Sequence, residues 1–414
     1  MPESRNFIEG KHRNPLPPGI LIALSLATMA GPISIDTYLP AFPVMAEALG
    51  ATDAQIQFTL TAFMIGMAAG QFFIGPISDA VGRRKLLIAS QGIAAVAAVI
   101  CALAPVVELL MAGRLVQGLA GGAGVVLARA VVADMAVGNS AAKALSLMMT
   151  INGVAPILAP VIGAALLEPF GWRSIFWFIA AFDIIAMTVL AIAIRESLPE
   201  ERRSAGGLRG LIGGIAYVVR VPGYLGYVMV FWFGFGAMFT YISGSPFVIQ
   251  NQLGLTAGQF SMTFAAASVM IVVGNLLNVK LVDRFDPRTI LAASLGIVIV
   301  ASVLILIDSM THPTLAIILA LIMLFMLGMG MLMGNAAALA TGIARERAGA
   351  ASALLGAGQF IVAAIVSPMV GLGSDPARTM GAVMVVSAAI AVGGYVWARV
   401  SERPRPSAAQ ALDN

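Results

Sequence analysis

The sequence is poor in charge and in the residues that form disulfides and bind metals. Asp, Glu, Lys and Arg make up 11% of the 414 residues, whereas apolar residues make up 59%. Soluble domains average about 25% charged and about 45–50% apolar residues. Because so few charged side chains cannot cover a water-facing surface of this size, we expect the chain to reside in lipid.

Cysteine and histidine are nearly absent, which excludes several kinds of site. Cys101 is the single cysteine, so the chain has no disulfide of its own and no thiolate metal cluster. His12 and His312 each lie beside a proline-containing break, and no histidine metal site is expected. No G-x-x-x-x-G-K-S/T sequence is present, which argues against an ATP-driven pump. We therefore expect no metal, no cofactor, no nucleic-acid partner and no enzymatic activity.

Apolar runs long enough to cross a bilayer, about 20 residues each, recur along the chain. The twelve predicted spans are residues 19–41, 54–78, 85–105, 108–133, 143–167, 173–194, 222–247, 257–281, 289–308, 313–341, 349–372 and 377–399. If both termini are cytoplasmic, 20 of the 24 Lys and Arg residues lie on the cytoplasmic side, and only Arg173 and Arg378 lie in outer loops. This positive-inside bias predicts a multi-pass protein of the bacterial inner membrane with both termini in the cytoplasm.

The chain divides into two similar halves. At an offset of 204 residues, Leu49-Gly50-x-Thr52-x-x-Gln55 recurs as Leu253-Gly254-x-Thr256-x-x-Gln259, and Gly70 recurs as Gly274. We predict an all-α membrane protein of two parallel six-helix repeats, a plan that places the transport site near the midplane between the halves. The predicted divisions are a cytoplasmic tail (1–18), a first bundle (19–194), a cytoplasmic linker (195–221), a second bundle (222–399) and a cytoplasmic tail (400–414).

A charged loop, Gly75 to Lys85, joins the second and third predicted spans. Glycines permit close approach and a tight turn there, while an acid and a basic triplet place opposite charges at a helix junction. The fourth span ends with another acid on the same side. The residues of this conformational-gating loop are Gly75, Asp79, Gly82, Arg83, Arg84 and Asp134. Two interpretations stay open: a salt-bridge network that breaks and re-forms as the helices tilt, or a simple positive-inside anchor.

This loop resembles the signature G-x-x-x-D-x-x-G-R-R/K of the major facilitator superfamily. Arg114 to Gly118 resembles its R-x-x-Q-G motif. Asp36-Thr37-Tyr38-Leu39-Pro40, Gly171 to Phe176 and Ser245-Pro246-Phe247 narrow the resemblance to the bicyclomycin-resistance and chloramphenicol/florfenicol exporter family (Bcr/CflA). The residues that resemble the antiporter motif G-P-x-x-G-G in the fifth span are Gly153, Pro156, Pro160 and Gly163, with Ala159 and Ala164 where that motif has glycines. The resemblance implies a twelve-helix drug:proton antiporter.

Few charges lie inside the predicted spans. Asp36 lies about 17 residues into the first span, roughly 26 Å along it. Since an ionised Asp near the bilayer centre costs roughly 2.5–3.5 kcal/mol, Asp36 should face the bundle interior or a watery cavity, where it can bind and release a proton. The alternative is a hydrogen-bonded helix kink beside Pro32 and Pro40. The resemblance implies that Arg114 supports proton coupling.

Two further charged residues within the predicted spans have more than one interpretation. Arg129 either binds polar groups of a substrate or pairs with Asp134. Asp183 lies in the middle of the sixth span, where a proton site, an interhelical hydrogen bond and a lipid-facing neutral acid are all open, and we favour a structural role.

Polar and aromatic residues in the spans expected to line the cavity are the candidates for drug binding. They are Tyr38, Phe63, Met64, Gln117, Arg129, Asn152, Phe239, Tyr241, Asn275, Asn335 and Gln359. A large apolar cavity with a few polar anchors suits small amphipathic drugs, such as phenicol- or bicyclomycin-like compounds. We predict a monomeric, proton-coupled exporter working by rocker-switch alternating access, with drug, protons and the bilayer as its partners. An importer or permease for a small metabolite is the alternative.

Overall fold

The computed structural model describes residues 16–203, 207–311 and 314–402. Within them, twelve helices are long and apolar enough to cross a membrane, and each overlaps one predicted span. They are α1 (Pro18–Leu49), α2 (Asp53–Val81), α3 (Arg83–Leu103), α4 (Val107–Met135), α5 (Lys143–Phe170), α6 (Arg173–Ala193), α7 (Tyr224–Gln252), α8 (Ala257–Leu281), α9 (Pro287–Met310), α10 (Leu315–Ile343), α11 (Arg345–Leu372) and α12 (Pro376–Ser401). His12, His312 and most of the two predicted tails lie outside the described residues.

The first span runs beyond its predicted end at residue 41 because its prolines interrupt the helix without ending the span. The first helical segment stops at Asp36, a 3-10 turn covers Leu39–Ala41, and a second helix covers Phe42–Leu49. Pro40 and Pro43 lack the backbone N–H that would continue the preceding helix. The interruption leaves Asp36 at a helix end inside the protein.

Matching caps begin the second span of each half. The side chain of Thr52 accepts the backbone N–H of Gln55 at 3.3 Å, and Gln55 Oε1 accepts that of Thr52 at 2.8 Å. Thr256 and Gln259 repeat this pair at 3.2 and 3.0 Å. The repeated Thr-x-x-Gln segment therefore forms a capping box in each half.

Glycines let the second and fourth spans of each half pack closely. A Cβ atom on Gly70 would collide with the carbonyl oxygen of Leu119, and one on Gly274 would collide with that of Leu327. Small residues allow two membrane helices to approach until their backbones touch. The repeat in the sequence therefore corresponds to a repeat in helix packing.

The two halves meet most closely on one side of the membrane. We call the side on which Pro18 and Ser401 lie the terminal side, and the opposite one the far side. Within the described residues, side-chain hydrogen bonds that join the halves directly lie between the midplane and the far side. They run from Gln57 Nε2 to the Ser243 carbonyl (3.1 Å), from Thr61 Oγ1 to the Ala364 carbonyl (3.2 Å), from Gln250 Nε2 to the Pro40 carbonyl (3.2 Å), from the Gly371 N–H to Gln57 Oε1 (2.7 Å) and from two serines of α8 to α5. The far side is therefore closed.

On the terminal side, a linker helix (Gly207–Val218) lies between the halves. Gly214 of this helix lies against Ala350 of α11, and the Tyr217 hydroxyl donates to the carboxylate of Glu346. A cavity of about 460 Å³ separates the linker helix, α2, α4 and the start of α11. The halves are therefore held apart on this side.

Candidate substrate and proton site

A cavity of about 180 Å³ lies between the halves near the midplane. Spans α1, α2, α4 and α5 of the first half and α11 of the second half line it. Its residues are Thr28, Pro32, Met67, Gln71, Val125, Arg129, Leu145, Met148, Met149, Asn152, Gln359 and Phe360. Because Gln71 also lines the larger cavity beside the linker helix, the central cavity leads toward the terminal side.

Asp36 lies on the first span, one helical turn beyond a residue that lines this cavity. Thr28 and Pro32 line the cavity, and Asp36 follows at the same four-residue spacing, so it continues their helix face about 6 Å farther from the terminal side. Its side chain is 5% exposed and forms no hydrogen bond or ion pair with the described residues. Four residues beyond it, the carbonyl of Pro40 accepts a hydrogen bond from the Gln250 side chain of the second half at 3.2 Å. Asp36 therefore occupies the junction of the two halves.

Arg114 is fully buried and has no acidic partner among the described residues. Its guanidinium carbon lies 4.2 Å from the ring centre of Phe63 and 4.3 Å from that of Tyr38. Its Nη1 donates to Gln117 Oε1 at 2.5 Å, while Nε and Nη2 have no hydrogen-bond partner in the part of the chain that the structure describes. Cation–π contacts gain strength when desolvated, reaching about 2 kcal/mol. Tyr38, Phe63 and Gln117 thus surround Arg114 and do not line the cavity.

The remaining predicted substrate residues lie in different places. Arg129, Asn152 and Gln359 line the cavity, so the structure brings three of the eleven together there. Met64 is buried in the core, and Phe239 packs on Phe235 with ring centres 5.1 Å apart.

The second-half candidates serve mainly in packing. Tyr241 stacks on Phe264, with ring centres 5.7 Å apart. Asn335 donates to Asn278 Oδ1 at 2.6 Å and so joins α10 to α8. Asn275 is exposed on α8. These positions make a direct contact with a ligand in the cavity less favourable than for Arg129 or Asn152.

The predicted network of the gating loop centres on Arg83. Its Nη2 lies 2.7 Å from Asp79 Oδ1, its Nε donates to Asp134 Oδ2 at 3.1 Å, and its Nη1 donates to Ser78. The Ser197 hydroxyl also donates to Asp134, at 3.0 Å. Asp134 is therefore engaged by Arg83 and does not pair with Arg129.

Glycine shapes the loop at two points. Gly82 adopts φ of +106°, a conformation that side chains rarely adopt, and so turns the chain between α2 and α3. Gly75 lines the cavity of about 460 Å³ beside the linker helix.

Glu196, which no motif singled out, holds the loop in place. Its carboxylate accepts the backbone N–H groups of Arg83 at 2.9 Å and Arg84 at 3.3 Å, which begin α3. The Arg84 guanidinium donates to the carbonyls of Ala191 at 2.8 Å and Ile194 at 2.7 Å, at the end of α6. Negative charge at a helix start and positive charge at a helix end are both stabilising. The available signal was an acid that follows Arg195 directly after the predicted end of the sixth span at residue 194.

Glu196 predicts a pH-dependent stability of this junction. Partial burial raises its pKa, but the N–H groups of Arg83, Leu198 and Arg84 and the charge of Arg203 outweigh burial, so its pKa lies below the ordinary 4.5. A lowered pKa stabilises the fold above pH 4.5, and this contribution disappears as pH falls through the lowered value. We expect Glu196→Gln to lower the melting temperature of the purified protein at pH 7, and the difference from wild type to vanish at acidic pH. A difference that stays the same as the pH is lowered from 7 until the protein unfolds would contradict this role.

The second half anchors the corresponding loop with a different set of ion pairs, in which Arg288 contacts Asp286 and Glu402. Arg288 Nε donates to Glu402 Oε2 at 3.1 Å, at the end of α12, as the first-half loop is anchored at the end of α6. Asp283, the counterpart of Asp79, is exposed and forms no ion pair with the described residues.

The proline-rich fifth span contributes to closure on the far side. Pro160 has no N–H to donate to the carbonyl of Pro156, and the hydroxyl of Ser268 on α8 donates to that carbonyl at 3.2 Å. The hydroxyl of Ser261 donates to the carbonyl of Pro160 at 2.8 Å. These residues therefore join the two halves.

Two glycines of the same motif lie at contacts and breaks of α5. A Cβ atom on Gly163 would collide with the carbonyl of Thr37 on α1, so Gly163 lets α5 pack beside the segment that follows Asp36. Gly153 lies between the two helical segments of α5, Asn139–Asn152 and Ala155–Phe170.

Asp183 lies inside the first half. It is fully buried, and neither carboxyl oxygen has a hydrogen-bond partner within the described residues. The lipid-facing interpretation therefore does not fit. Because Asp183 is not among the residues that line the central cavity, its structural role stays our prediction.

A family model described as Major Facilitator Superfamily matches residues 24–368. The chain belongs to the major facilitator superfamily. Its membership confirms the predicted fold and the resemblance, and the members of this superfamily compared below are transporters. The chain is thus a multi-pass membrane transporter.

Several relatives in the superfamily carry names related to drug resistance. The chain is 35% identical over 369 residues to the uncharacterized MFS-type transporter YdgK of Bacillus subtilis, covering 89% of this chain and 92% of that relative. It is 28% identical to the bicyclomycin resistance protein homolog of Haemophilus influenzae, covering 89% and 94%. It is also 28% identical to the multidrug resistance protein MdtL of Klebsiella pneumoniae, covering 79% and 82%.

Solved structures of the superfamily share the fold. A bacterial homologue of the human lysosomal transporter Spinster, in an inward-facing and unoccupied conformation, matches with a TM-score of 0.74 at 16% identity, covering 94% of this chain and 98% of that one. A D-xylose-proton symporter matches with a TM-score of 0.72 at 16% identity, covering 90% and 96%.

Proposed function

We propose that this transporter exports small amphipathic drugs in exchange for protons. The observation that carries the proposal is the position of one acid beside one cavity: Asp36 lies one helical turn beyond Pro32, on the helix face that lines the cavity between the halves. The names of the Haemophilus influenzae and Klebsiella pneumoniae relatives support a drug as the substrate.

The distribution of basic residues supports a cytoplasmic terminal side. Arg83, Arg84, Arg288 and Arg347 all lie at terminal-side helix ends, and Lys and Arg are enriched in cytoplasmic loops. In a bacterial inner membrane, the cavity then opens toward the cytoplasm, and both termini lie there. This is the state in which a drug enters from the cell.

For export, the protein must close its terminal side and open its far side. The drug enters from the cytoplasm, the halves rock about the cavity, and the far-side contacts separate. Asp36 then faces the outside, where its carboxylate takes a proton and the drug leaves. After the return to the present state, the proton is released to the cytoplasm. Burying an unpaired carboxylate is costly, so the protonated acid suits the closed junction.

The serine-to-proline contacts predict a measurable shift between these states. We expect the double substitution Ser261→Ala and Ser268→Ala to weaken the far-side closure and raise the outward-open population several-fold. Each hydroxyl is shared with a carbonyl of its own helix, so each interhelical contact contributes less than the about 1 kcal/mol of a full hydrogen bond. Spin labels across the far side measure this population. Ser302→Ala is the control, because that hydroxyl bonds only within its own helix, to Val298. Equal populations in the double variant and wild type would contradict the proposed role of the contacts.

A resistance profile tests the proposed function. Cells that express the protein are exposed to a drug panel that includes chloramphenicol and bicyclomycin, with and without a protonophore. We expect resistance and drug extrusion that disappear when the proton gradient is dissipated. Drug accumulation in place of extrusion would favour the importer, and extrusion that survives the protonophore would exclude proton coupling.

A further inference from the structure

Arg129 is the single charged side chain among the residues that line the central cavity. It is exposed to the cavity and forms no ion pair or hydrogen bond with the described residues. Asp134, five residues farther along α4, is occupied by Arg83 and Ser197. Since an arginine keeps its charge, the cavity has an uncompensated positive charge.

The other polar groups around Arg129 do not neutralise it. Asn152 and Thr28 bond each other, with Asn152 Nδ2 to Thr28 Oγ1 at 3.0 Å, and Gln359 lies across the cavity on the second half. Neutral amides and hydroxyls can orient a ligand but contribute no negative charge. Five guanidinium N–H donors are therefore available to a ligand.

The rest of the wall is apolar. Met67, Met148 and Phe360 line the same cavity, and methionine side chains adapt to ligands of different shapes. A ligand that matches both parts has an apolar body and an anionic or strongly accepting group, such as a carboxylate, sulfonate or nitro group. A permanently cationic ligand would meet like charge in a cavity partly shielded from water, where repulsion is stronger than in bulk solvent.

We infer that Arg129 selects substrates by charge: the cavity takes amphipathic molecules with an anionic or strongly accepting group and excludes permanent cations. The inference rests on the proposed function for the step that moves the bound molecule, but the charge preference itself is a property of binding. It can therefore be measured without transport.

Two probes of the same shape and opposite charge test the inference. Naphthalene-2-sulfonate and trimethyl(2-naphthyl)ammonium are equilibrated with the purified full-length protein, and bound probe is measured by dialysis. We expect wild type to bind the sulfonate at least about tenfold more tightly than the ammonium ion, because Arg129 can donate charge-assisted hydrogen bonds to the sulfonate and repels the ammonium ion. A tenfold difference corresponds to about 1.4 kcal/mol.

A series at one position separates charge from packing. Arg129→Lys should keep the preference, Arg129→Gln should abolish it, and Arg129→Glu should reverse it. Arg220→Glu, the same charge reversal in the linker and away from the cavity, should keep it. Melting temperatures show that each variant is folded, and Arg129→Lys still tests the inference if Arg129→Glu does not fold.

Three results would overturn the inference: equal binding of the two probes by wild type, an unchanged preference in Arg129→Gln, or loss of the preference in Arg220→Glu. Competition by phosphatidylglycerol vesicles that removes all sulfonate binding would likewise overturn it, since Arg129 would then bind lipid headgroups. A charge preference without proton-driven movement of any probe in vesicles would contradict the proposed function alone. Proton-driven movement without a preference would contradict the inference alone.

Discussion

Asp36→Asn is expected to abolish proton-driven drug export and leave the protein folded in the membrane. Asparagine keeps the size of the side chain but cannot release a proton, and Asp36 has no partner among the described residues whose loss would destabilise the fold. One charge crossing 100 mV is worth about 2.3 kcal/mol, which sustains a drug gradient of about 50-fold per proton. In vesicles with an imposed proton gradient, we expect the variant to reach no drug gradient.

Asp183→Asn is the matched control, because Asp183 is also a buried acid within a span but lies away from the cavity lining. We expect this control to keep proton-driven export. Export at the wild-type level by Asp36→Asn would refute the role of Asp36. An equal loss in both variants would show that the effect of Asp36→Asn does not depend on the position of this acid beside the cavity.

Gly118→Val is expected to destabilise the protein severely. A Cβ atom at Gly118 on α4 would collide with the carbonyl oxygen of Phe63 on α2, so the two helices would have to separate. Overpacking of a core typically costs about 1–3 kcal/mol, and here the obstacle is backbone that cannot rotate away. We expect a cost at or above the upper end of that range and little protein recovered in the membrane.

Gly296→Val provides the control for this substitution. Gly296 also lies within a membrane span, α9, but has no heavy atom within 4 Å of the position of an added Cβ. We expect a melting temperature close to that of wild type for this variant in detergent. Equal melting temperatures of the two variants would show that the contact between α2 and α4 does not limit stability.

The twelve spans could be predicted from the sequence because each needs only apolar length, and the halves because their caps recur in register. The break after Asp36 was marked by Pro40, but the sequence could not show that the span resumes at Phe42. Whether the helix resumes after the break depends on how it packs against the second half, and a local sequence pattern does not contain that information. The end of α1 was therefore predicted too early.

The candidate site was only partly predictable. Asp36 and Arg129 are conspicuous because charge is rare in the spans, and both lie at the cavity or directly beyond its end. Tyr38 and Phe63 are residue types that often line ligand sites, yet here they enclose Arg114. A buried cation without an acidic partner is stabilised by aromatic rings. Helical spacing assigns a face to each residue but does not say which neighbouring helix covers it.

Glu196 shows the same limit at the membrane surface. Its partners, Arg83 and Arg84, are 113 and 112 residues away, so only the fold brings them together. The count of Lys and Arg residues predicted one basic side of the membrane. It gave no reason to single out one acid within the polar linker.

The direction of proton movement caused by a drug gradient tests the central claim most directly. Purified protein is reconstituted into vesicles that contain a pH-sensitive dye, and chloramphenicol is added outside with no initial proton gradient. Exchange predicts that chloramphenicol moving inward drives protons outward, so the vesicle interior becomes alkaline, and that Asp36→Asn abolishes this change. An interior that becomes acidic, or drug movement with no change in pH, would contradict proton-coupled antiport.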